Sequence, residues 1–166
     1  MTDRVLPEVR VPVDLFEIAR LDVVLCAQLQ SSFALCLYDE VQEGGALLHM
    51  QIGRPGRVAD PELTDNTLST NLLLLDRCIA ELKLSDPRAR HWQAKFVAHA
   101  DENRGGRELA LGVQSFVEAY LEDVGVGLVS AAVHNDEALR LSFRPAMGQL
   151  RCEPLAATTQ RLRQLT

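Results

Sequence analysis

The chain has 166 residues, of which 47% are hydrophobic and 24% charged, a composition that fits one soluble globular domain with an ordinary core. Its formal net charge is −6 and its only lysines are Lys83 and Lys95, which argues against a nucleic-acid surface built from clustered basic residues. No apolar run approaches the roughly 20 residues of a membrane-spanning helix, and the N-terminus lacks the basic-then-apolar order of a secretory signal. We therefore expect a cytoplasmic protein.

The N-terminal part of the chain predicts a lead-in and three strands. Residues 1–12 contain two prolines and little periodicity, so we expect a loose segment there, followed by a short apolar stretch at residues 15–18. Continuous apolar runs bounded by polar residues are typical of strands buried on both faces, and they occupy residues 23–26 and 33–38, while a third strand is predicted at residues 46–52. Gly44-Gly45 predicts a hairpin turn between the last two runs, and the breaker-rich residues 53–61 predict a loop.

Two amphipathic helices follow from apolar residues at helical spacing. The first is predicted over about residues 67–84, with Asp65 or Asn66 as its N-cap and Asp86-Pro87 closing it. Its apolar stripe consists of Leu68, Leu72, Leu75, Ile79 and Leu82. The second is predicted over about residues 108–123 and is stopped by Gly125. Its stripe consists of Leu109, Val113, Phe116, Val117, Tyr120, Leu121 and Val124.

Further strands are predicted between and after the helices, at residues 93–98, 126–133, 139–143 and 149–152. The turn-rich residues 144–148 join the last two as a hairpin. The resulting order β-β-β-α-β-α-β-β-β predicts an α/β or α+β sandwich with helices packed on sheet. No repeat or linker divides the chain, so we expect one domain over residues 1–166, with its core at about 15–153 and a weakly helical tail from residue 155.

The cysteines and histidines show no metal-binding pattern. Four cysteines, at Cys26, Cys36, Cys78 and Cys152, are widely spaced, and no pair has the Cys-x-x-Cys spacing of zinc ribbons or thioredoxin-like sites. Because the cytoplasm is reducing, we expect all four thiols to be free. The spacing of His49, His91, His99 and His134 is not diagnostic either, so we expect no metal and no other cofactor.

A hydroxyl and an imidazole lie in neighbouring predicted strands. Ser32 heads one strand and His49 lies in the next, an arrangement that can support nucleophilic chemistry. Each residue also has a structural interpretation: the Ser32 hydroxyl can bond local backbone, and His49 can be a hydrogen-bonded, partly buried side chain. Cys26, at the end of an apolar run, is either a relocated nucleophile or an inert core thiol.

Several short motifs share their order and spacing with one known family. The run Ala34-Leu35-Cys36-Leu37-Tyr38-Asp39 matches an apolar run ending in Leu-Tyr-Asp. Ala94-Lys95-Phe96-Val97-Ala98-His99-Ala100 matches Ala-Lys-Ile-Phe-Gly-Gly-Ala. Phe143-Arg144-Pro145-Ala146-Met147-Gly148 matches a closing Phe-x-Pro-x-Thr-Gly turn. On these motifs the chain, from roughly Glu17 to Glu153, resembles the CheD family, the chemoreceptor glutamine deamidases of bacterial chemotaxis.

The resemblance implies a thiol-dependent deamidase that acts on glutamine side chains of methyl-accepting chemoreceptors. It also implies layered β-sheets with helices outside, a fold shared with toxin-type cysteine deamidases. In the implied reaction a thiolate attacks the carboxamide, ammonia leaves, and water hydrolyses the thioester to glutamate. A histidine activates the thiol, and backbone amides near the nucleophile stabilise the oxyanion. The implied partners are a chemoreceptor cytoplasmic segment or a CheC-type phosphatase.

The sequence departs from the family pattern at the site itself. Ser32 stands at the position of the family's cysteine and Cys26 at that of its supporting threonine, while His49 matches its histidine. The other changed positions, where the family has two glycines, an arginine and an asparagine, are Gln28, Gln30, Gln114 and Ser115. Because these positions change together, we expect a deamidase-dead homologue that acts by binding. An amidohydrolase using Ser32 or Cys26 with His49, and a role outside chemotaxis, are the alternatives.

Overall fold

Nine strands, two α-helices and one 3-10 helix make up the described parts of the computed structural model, which are residues 5–52, 61–101, 105–135 and 137–155, with side chains in the first helix described from residue 70 onward. In chain order the elements are β1 (Glu8–Arg10), β2 (Leu15–Ala19), β3 (Val24–Leu29), β4 (Ser32–Asp39), β5 (Gly45–Gln51), α1 (Pro61–Ser85), β6 (Trp92–His99), α2 (Gly106–Val124), β7 (Gly127–His134), β8 (Leu139–Arg144), the 3-10 helix (Pro145–Met147) and β9 (Gln149–Pro154).

The strands form two sheets that pack face to face, with the helices on one side. A five-stranded sheet has the order β2-β5-β4-β6-β7, and a four-stranded sheet has the order β1-β3-β8-β9. One apolar cluster fills the space between the five-stranded sheet and the helices, and a second lies between the two sheets. This layered α+β architecture confirms the predicted sandwich.

Strand β4 lies at the centre of the five-stranded sheet and is buried on both faces. Phe33, Leu35 and Leu37 belong to the cluster under the helices, whereas Ala34 and Cys36 belong to the cluster between the sheets. Successive side chains of a strand point to opposite faces, so both faces of β4 have to be apolar. This is why its sequence is a continuous apolar run rather than an alternating one.

The retained Leu-Tyr-Asp and Phe-x-Pro motifs pack against each other at the C-terminal end of β4. Asp39 accepts backbone N–H groups from Val41, Gln42 and His91, at 2.9, 3.0 and 2.9 Å. The Lys95 ammonium donates to the Gly148 carbonyl at 2.7 Å and lies 5.5 Å from the centre of the Tyr38 ring. These motifs therefore fix the β4–β5 turn, β6 and the β8–β9 connection to one another.

The N-terminal lead-in contains more structure than its sequence predicted. Glu8–Arg10 forms β1, which pairs in parallel with β3, and Val11 is only 2% exposed. The expectation of a loose segment is therefore wrong for these residues. Two prolines obscured the strand, but Pro7 precedes it and Pro12 follows it, so neither interrupts its hydrogen bonds.

Helix α1 begins earlier than predicted, at Pro61, because proline suits the first turn of a helix. Asp65 and Asn66 therefore lie inside the helix and are not its N-cap. Leu72 of the predicted stripe is 39% exposed, whereas Asn71 is buried and its amide donates to the Gln51 carbonyl at 3.3 Å. Leu75, Ile79 and Leu82 are buried as predicted; the side chain of Leu68 and residues 53–60 of the predicted loop lie outside the described residues.

The sequence predicted no strand for the short apolar stretch at residues 15–18, where the structure has β2; the other elements agree with the sequence prediction in type and order. Helix α2 ends at Val124, and Gly125 follows it with a left-handed φ of 76° and donates its N–H to Glu122. The predicted β4–β5 and β8–β9 hairpins are both antiparallel pairs. No helix within the described ranges is long and apolar enough to cross a membrane. The predicted tail beyond residue 155 lies outside the described residues.

Substitution of Gly45 tests how the Leu-Tyr-Asp and Phe-x-Pro motifs pack against each other. A Cβ at Gly45 would lie 2.6 Å from Pro145 Cβ and would also meet the Leu37 carbonyl, whereas a Cβ at Gly112 on the exposed face of α2 meets nothing within 4 Å. We expect Gly45→Ala to lower the free energy of unfolding by about 1–3 kcal/mol through overpacking. The control Gly112→Ala should raise it by about 0.5–1 kcal/mol. Urea denaturation measures both, and an unchanged Gly45→Ala midpoint would contradict the packing described.

Candidate functional site

A cavity of about 700 Å³ opens at the N-terminal end of β4. Its described lining consists of residues 10–13 at the end of β1 and just after it, residues 28 and 30–32 around the β3–β4 turn, and residues 49 and 51 of β5. Both sheets contribute, since β1 and β3 belong to the four-stranded sheet and β4 and β5 to the other. The lining includes the predicted pair Ser32 and His49.

The strand register brings Ser32 and His49 together. Ser32 pairs with Gln51 and His49 pairs with Ala34 across the β4–β5 ladder, so the two side chains are diagonal neighbours on one face of the sheet. His49 Nε2 lies 3.0 Å from Ser32 Oγ. Both residues are buried, at 2% and 5% exposure, although both contribute to the cavity lining.

A backbone carbonyl fixes the orientation and tautomer of His49. Its Nδ1 lies 2.9 Å from the Val11 carbonyl oxygen. A carbonyl can only accept, so Nδ1 carries the proton and Nε2 is left to accept the Ser32 hydroxyl proton. This is the hydrogen-bond order of a serine–histidine pair, with a peptide carbonyl at the position where a triad has a carboxylate.

Burial keeps the imidazole neutral. Desolvation lowers the pKa of His49, and it outweighs the hydrogen bond to Val11 and the nearby charge of Asp14, which both raise that pKa. The Asp14 carboxylate itself accepts the Gln51 backbone N–H at 3.5 Å. A neutral His49 is the protonation state that a general base needs.

The backbone amides immediately before Ser32 are already hydrogen-bonded within the protein. The Gln30 N–H donates to Ser32 Oγ at 3.1 Å, and the Ser31 N–H donates to His99 Nδ1 at 3.1 Å. Ser31 has a left-handed φ of 49°, a conformation that directs its N–H out of the strand ladder at the turn. Backbone amides beside a nucleophile are groups that can stabilise an oxyanion formed there.

His99 is a member of the site that sequence reasoning considered only as a metal ligand. It pairs with Ser32 across the β4–β6 ladder, is 5% exposed, and contacts the turn that precedes Ser32. Its position in the motif matching Ala-Lys-Ile-Phe-Gly-Gly-Ala, where the family has glycine, was the signal that could have identified it. Within the described part of the chain, no group of three or more His, Cys, Asp or Glu side chains is arranged to hold a metal ion.

Cys26 points away from Ser32 and His49. Leu25, Ala27 and Leu29 of β3 point into the cluster between the sheets, so Cys26 points to the outer face. There its thiol lies 4.0 Å from Ser142 Oγ, and it does not line the cavity. The alternation along β3 therefore gives Cys26 and Ser32 different environments, although they are near in sequence.

Two of the three glutamines at the changed positions line the cavity, and the third does not. Gln28 and Gln30 line the cavity without filling it, and both are exposed. Gln114 lies on α2, where its amide donates to Glu118 at 3.1 Å, and neither it nor Ser115 lines the cavity. Gln51 and Arg10, which sequence reasoning did not single out, complete its polar lining.

The lowered pKa of His49 predicts a pH dependence of stability. In the unfolded chain His49 takes up a proton near the ordinary imidazole pKa of about 6.5, but in the folded protein its pKa is lower, so the folded state loses stability as the pH falls below about 6.5. We expect the free energy of unfolding to decrease between pH 6.5 and 5, with His49 contributing at most about 1.4 kcal/mol per pH unit. Denaturation of His49→Gln should show a shallower dependence than that of the wild type, and His134→Gln, at an exposed residue, is the control. Equal slopes for the two variants would contradict this assignment.

The comparisons with known proteins identify distant relatives but no matching family model. A protein of Zymomonas mobilis subsp. mobilis named probable chemoreceptor glutamine deamidase CheD is 26% identical over 133 residues, which cover 79% of this chain and 70% of that protein. A protein of Agrobacterium fabrum with the same name is 26% identical over 141 residues, covering 84% of this chain and 76% of that one. The chain is thus similar to CheD proteins over most of its length, and its layered α+β fold is consistent with that similarity.

Proposed function

We propose that this protein is a CheD-like chemotaxis protein that binds a cytoplasmic segment of a chemoreceptor without deamidating it. Similarity to two proteins named chemoreceptor glutamine deamidase, over about four-fifths of the chain, supports the chemotaxis assignment. The open cavity beside Ser32 and His49 is the surface at which we propose that the segment binds. A CheC-type phosphatase is the other partner that the resemblance implies, and it would use the same face.

The hydrogen bonds around Ser32 carry the proposal that deamidation is lost. Attack on a carboxamide needs a nucleophile, a base and donors for the developing oxyanion. The Gln30 N–H already donates to the Ser32 hydroxyl, and the Ser31 N–H already donates to His99. An oxyanion would have to displace these bonds inside a buried site, where an unpaired polar group costs about 1–3 kcal/mol.

The residues that replace the family's pattern act in the same direction. A serine hydroxyl is much less acidic than a thiol, so it depends more strongly on a base and on oxyanion donors. The glycine that the family has at the position of His99 carries no side-chain acceptor, so it would leave the Ser31 N–H available. We infer that Ser32 and His99 each remove one requirement of the deamidation. Ser32 removes the thiol nucleophile, and His99 occupies the Ser31 N–H that could act as an oxyanion donor.

A second candidate function is a serine amidohydrolase with His49 as its base. The observation that favours it is the 3.0 Å contact between His49 Nε2 and Ser32 Oγ, with Nδ1 held by the Val11 carbonyl. Cys26 is not part of this candidate because it lies on the outer face of the other sheet and does not line the cavity. The two candidates differ in whether the Ser32 hydroxyl catalyses hydrolysis of an amide, and an assay of ammonia release distinguishes them.

The first prediction from this proposal concerns turnover. We expect the wild-type protein, incubated with glutamine-bearing cytoplasmic fragments of chemoreceptors, to release no more ammonia than its Ser32→Ala variant, because the oxyanion donors are occupied. Mass spectrometry of the fragments, which detects conversion of glutamine to glutamate, is an independent measurement. A CheD protein with the family's cysteine is the positive control. Ser32-dependent release would establish the second candidate instead.

Two further variants identify what the site lacks. We expect Ser32→Cys alone to remain inactive, and Ser32→Cys combined with His99→Gly to gain activity, because the second change frees the Ser31 N–H; one oxyanion donor is worth about 10²–10³ in rate. Ser32→Cys with His91→Gly is the matched control, since His91 is exposed and outside the cavity. Full activity of Ser32→Cys by itself would contradict the role assigned to the occupied amides.

Another prediction from this proposal concerns binding of the receptor segment. Val13 lines the cavity and is 39% exposed, so Val13→Trp should obstruct the cavity and weaken binding of the receptor fragment at least tenfold, a loss of about 1.4 kcal/mol. Val41→Trp, at a residue that is 77% exposed in the β4–β5 turn, is the control. Isothermal titration calorimetry measures both. If both variants bind as the wild type does, the segment is bound elsewhere.

A further inference from the structure

Arg10 provides the charge of the cavity beside Ser32. Among its ten described lining residues, Arg10 is the one with a permanently charged side chain, and none of these ten is an aspartate or glutamate. The other polar side chains among them are amides, hydroxyls and the His49 imidazole. In a chain with a net charge of −6, a described lining without a carboxylate is a local reversal of the overall charge.

The guanidinium of Arg10 has no carboxylate partner among the described residues. It donates from Nη2 to Gln28 Oε1 at 3.3 Å, a bond to a neutral amide. Two other arginines on the outer face of the same sheet do have carboxylate partners: Arg140 lies 3.5 Å from Glu8, and Arg144 lies 2.7 Å from Asp22. Arg10 therefore has donors that are available to a bound group.

The surrounding side chains add donors that suit an anion. Three glutamines, Gln28, Gln30 and Gln51, contribute to the lining, and an amide NH₂ group donates two hydrogen bonds. The Asp14 carboxylate accepts the Gln51 backbone N–H, the Glu8 carboxylate is paired with Arg140, and neither belongs to the described lining. A planar guanidinium with several donors matches the two oxygens of a carboxylate.

We propose that the cavity selects a carboxylate side chain of the bound peptide, a glutamate rather than a glutamine, with Arg10 as its charge partner. This inference deepens the proposed function and rests on it: a protein that binds the receptor segment without deamidating it would recognise the acid form of the residue. Arg10 lies before Glu17, near which the resemblance to the CheD family begins.

Two peptides that differ only in a side-chain carboxylate or carboxamide test the inference. The two carry the same receptor segment with either glutamate or glutamine at one position, and their binding is measured by fluorescence anisotropy at 50 and 300 mM salt. We expect the glutamate peptide to bind roughly tenfold more tightly at low salt, because charge-assisted hydrogen bonds are about twice as strong as neutral ones. The preference should decrease at high salt, because ions screen exposed charges.

Two arginine variants assign the preference to the cavity. Arg10 pairs with Cys26, Cys26 with Ser142, and Ser142 with Arg151, so Arg151 occupies the same row of the sheet at its opposite edge. Arg151 does not line the cavity, which makes it a matched control. We expect Arg10→Gln to bind both peptides equally, and Arg151→Gln to keep the wild-type preference. The proposal is wrong if the Arg10→Gln variant still prefers the glutamate peptide, or if the wild type shows no such preference.

Small blocked amino acids separate this proposal from the proposed function. N-acetylglutamate amide and N-acetylglutamine amide are titrated against the protein, and NMR follows the His49 ring signals. Arg10-dependent binding of the glutamate compound, with no binding of any receptor segment, would support the carboxylate site and contradict the chemotaxis partner. Binding of receptor segments with no preference between glutamate and glutamine would support the chemotaxis partner and contradict the carboxylate site. If neither the peptides nor the small compounds bind, both are wrong.

Discussion

The register of β4 with its two neighbours is the constraint on which the rest of this structure depends. β4 is the middle strand of its sheet, paired with β5 on one side and β6 on the other. A slip of one residue would exchange its two faces, moving Phe33, Leu35 and Leu37 into the narrow space between the sheets and Ser32 to the side of the helices. Because both faces are packed with side chains of different size, the register that buries the core also places Ser32 beside His49.

The two ends of β4 have different roles. At the C-terminal end, Tyr38 and Asp39 connect to Lys95, Gly148 and the β4–β5 turn through hydrogen bonds and ring contacts. At the N-terminal end, about 20 Å away at 3.3 Å per residue, Ser32 faces the cavity. The Leu-Tyr-Asp and Phe-x-Pro motifs that resemble the CheD family lie at the first end. Of the substituted positions, Ser32, Gln28 and Gln30 line the cavity at the second end, whereas Cys26, Gln114 and Ser115 do not. The resemblance is therefore strongest where the residues maintain the fold.

The polar groups at the site are satisfied by one another, and this affects what the site can do. Ser32 accepts from Gln30 and contacts His49, His49 contacts Val11, and the Ser31 N–H bonds to His99. Such a closed network stabilises a buried serine–histidine pair, because buried polar groups without partners are costly. The same bonds leave little free hydrogen-bonding capacity for a reacting amide. Arg10, at the mouth of the cavity, is the group whose donors remain open to a ligand.

The sequence by itself determined the order and type of most elements, because apolar periodicity and turn residues are local properties. It predicted the continuous run of β4, the stripe of α2 and the stop at Gly125, and it singled out Ser32 and His49. It failed at β1, where a three-residue strand leaves too short a pattern, and at the start of α1, where Pro61 rather than Asp65 or Asn66 begins the helix.

Only the tertiary structure decided which groups meet. Val11 is 38 residues from His49, and His99 is 68 residues from Ser31, so neither partner leaves a pattern in the chain. The alternation of β3 turned Cys26 to the outer face of its sheet, and Arg10, on that same face of the edge strand β1, still reaches the cavity lining. The physical reason is that a site of this kind is assembled by backbone carbonyls and strand register across two sheets, which depend on packing and not on the identity of neighbouring residues.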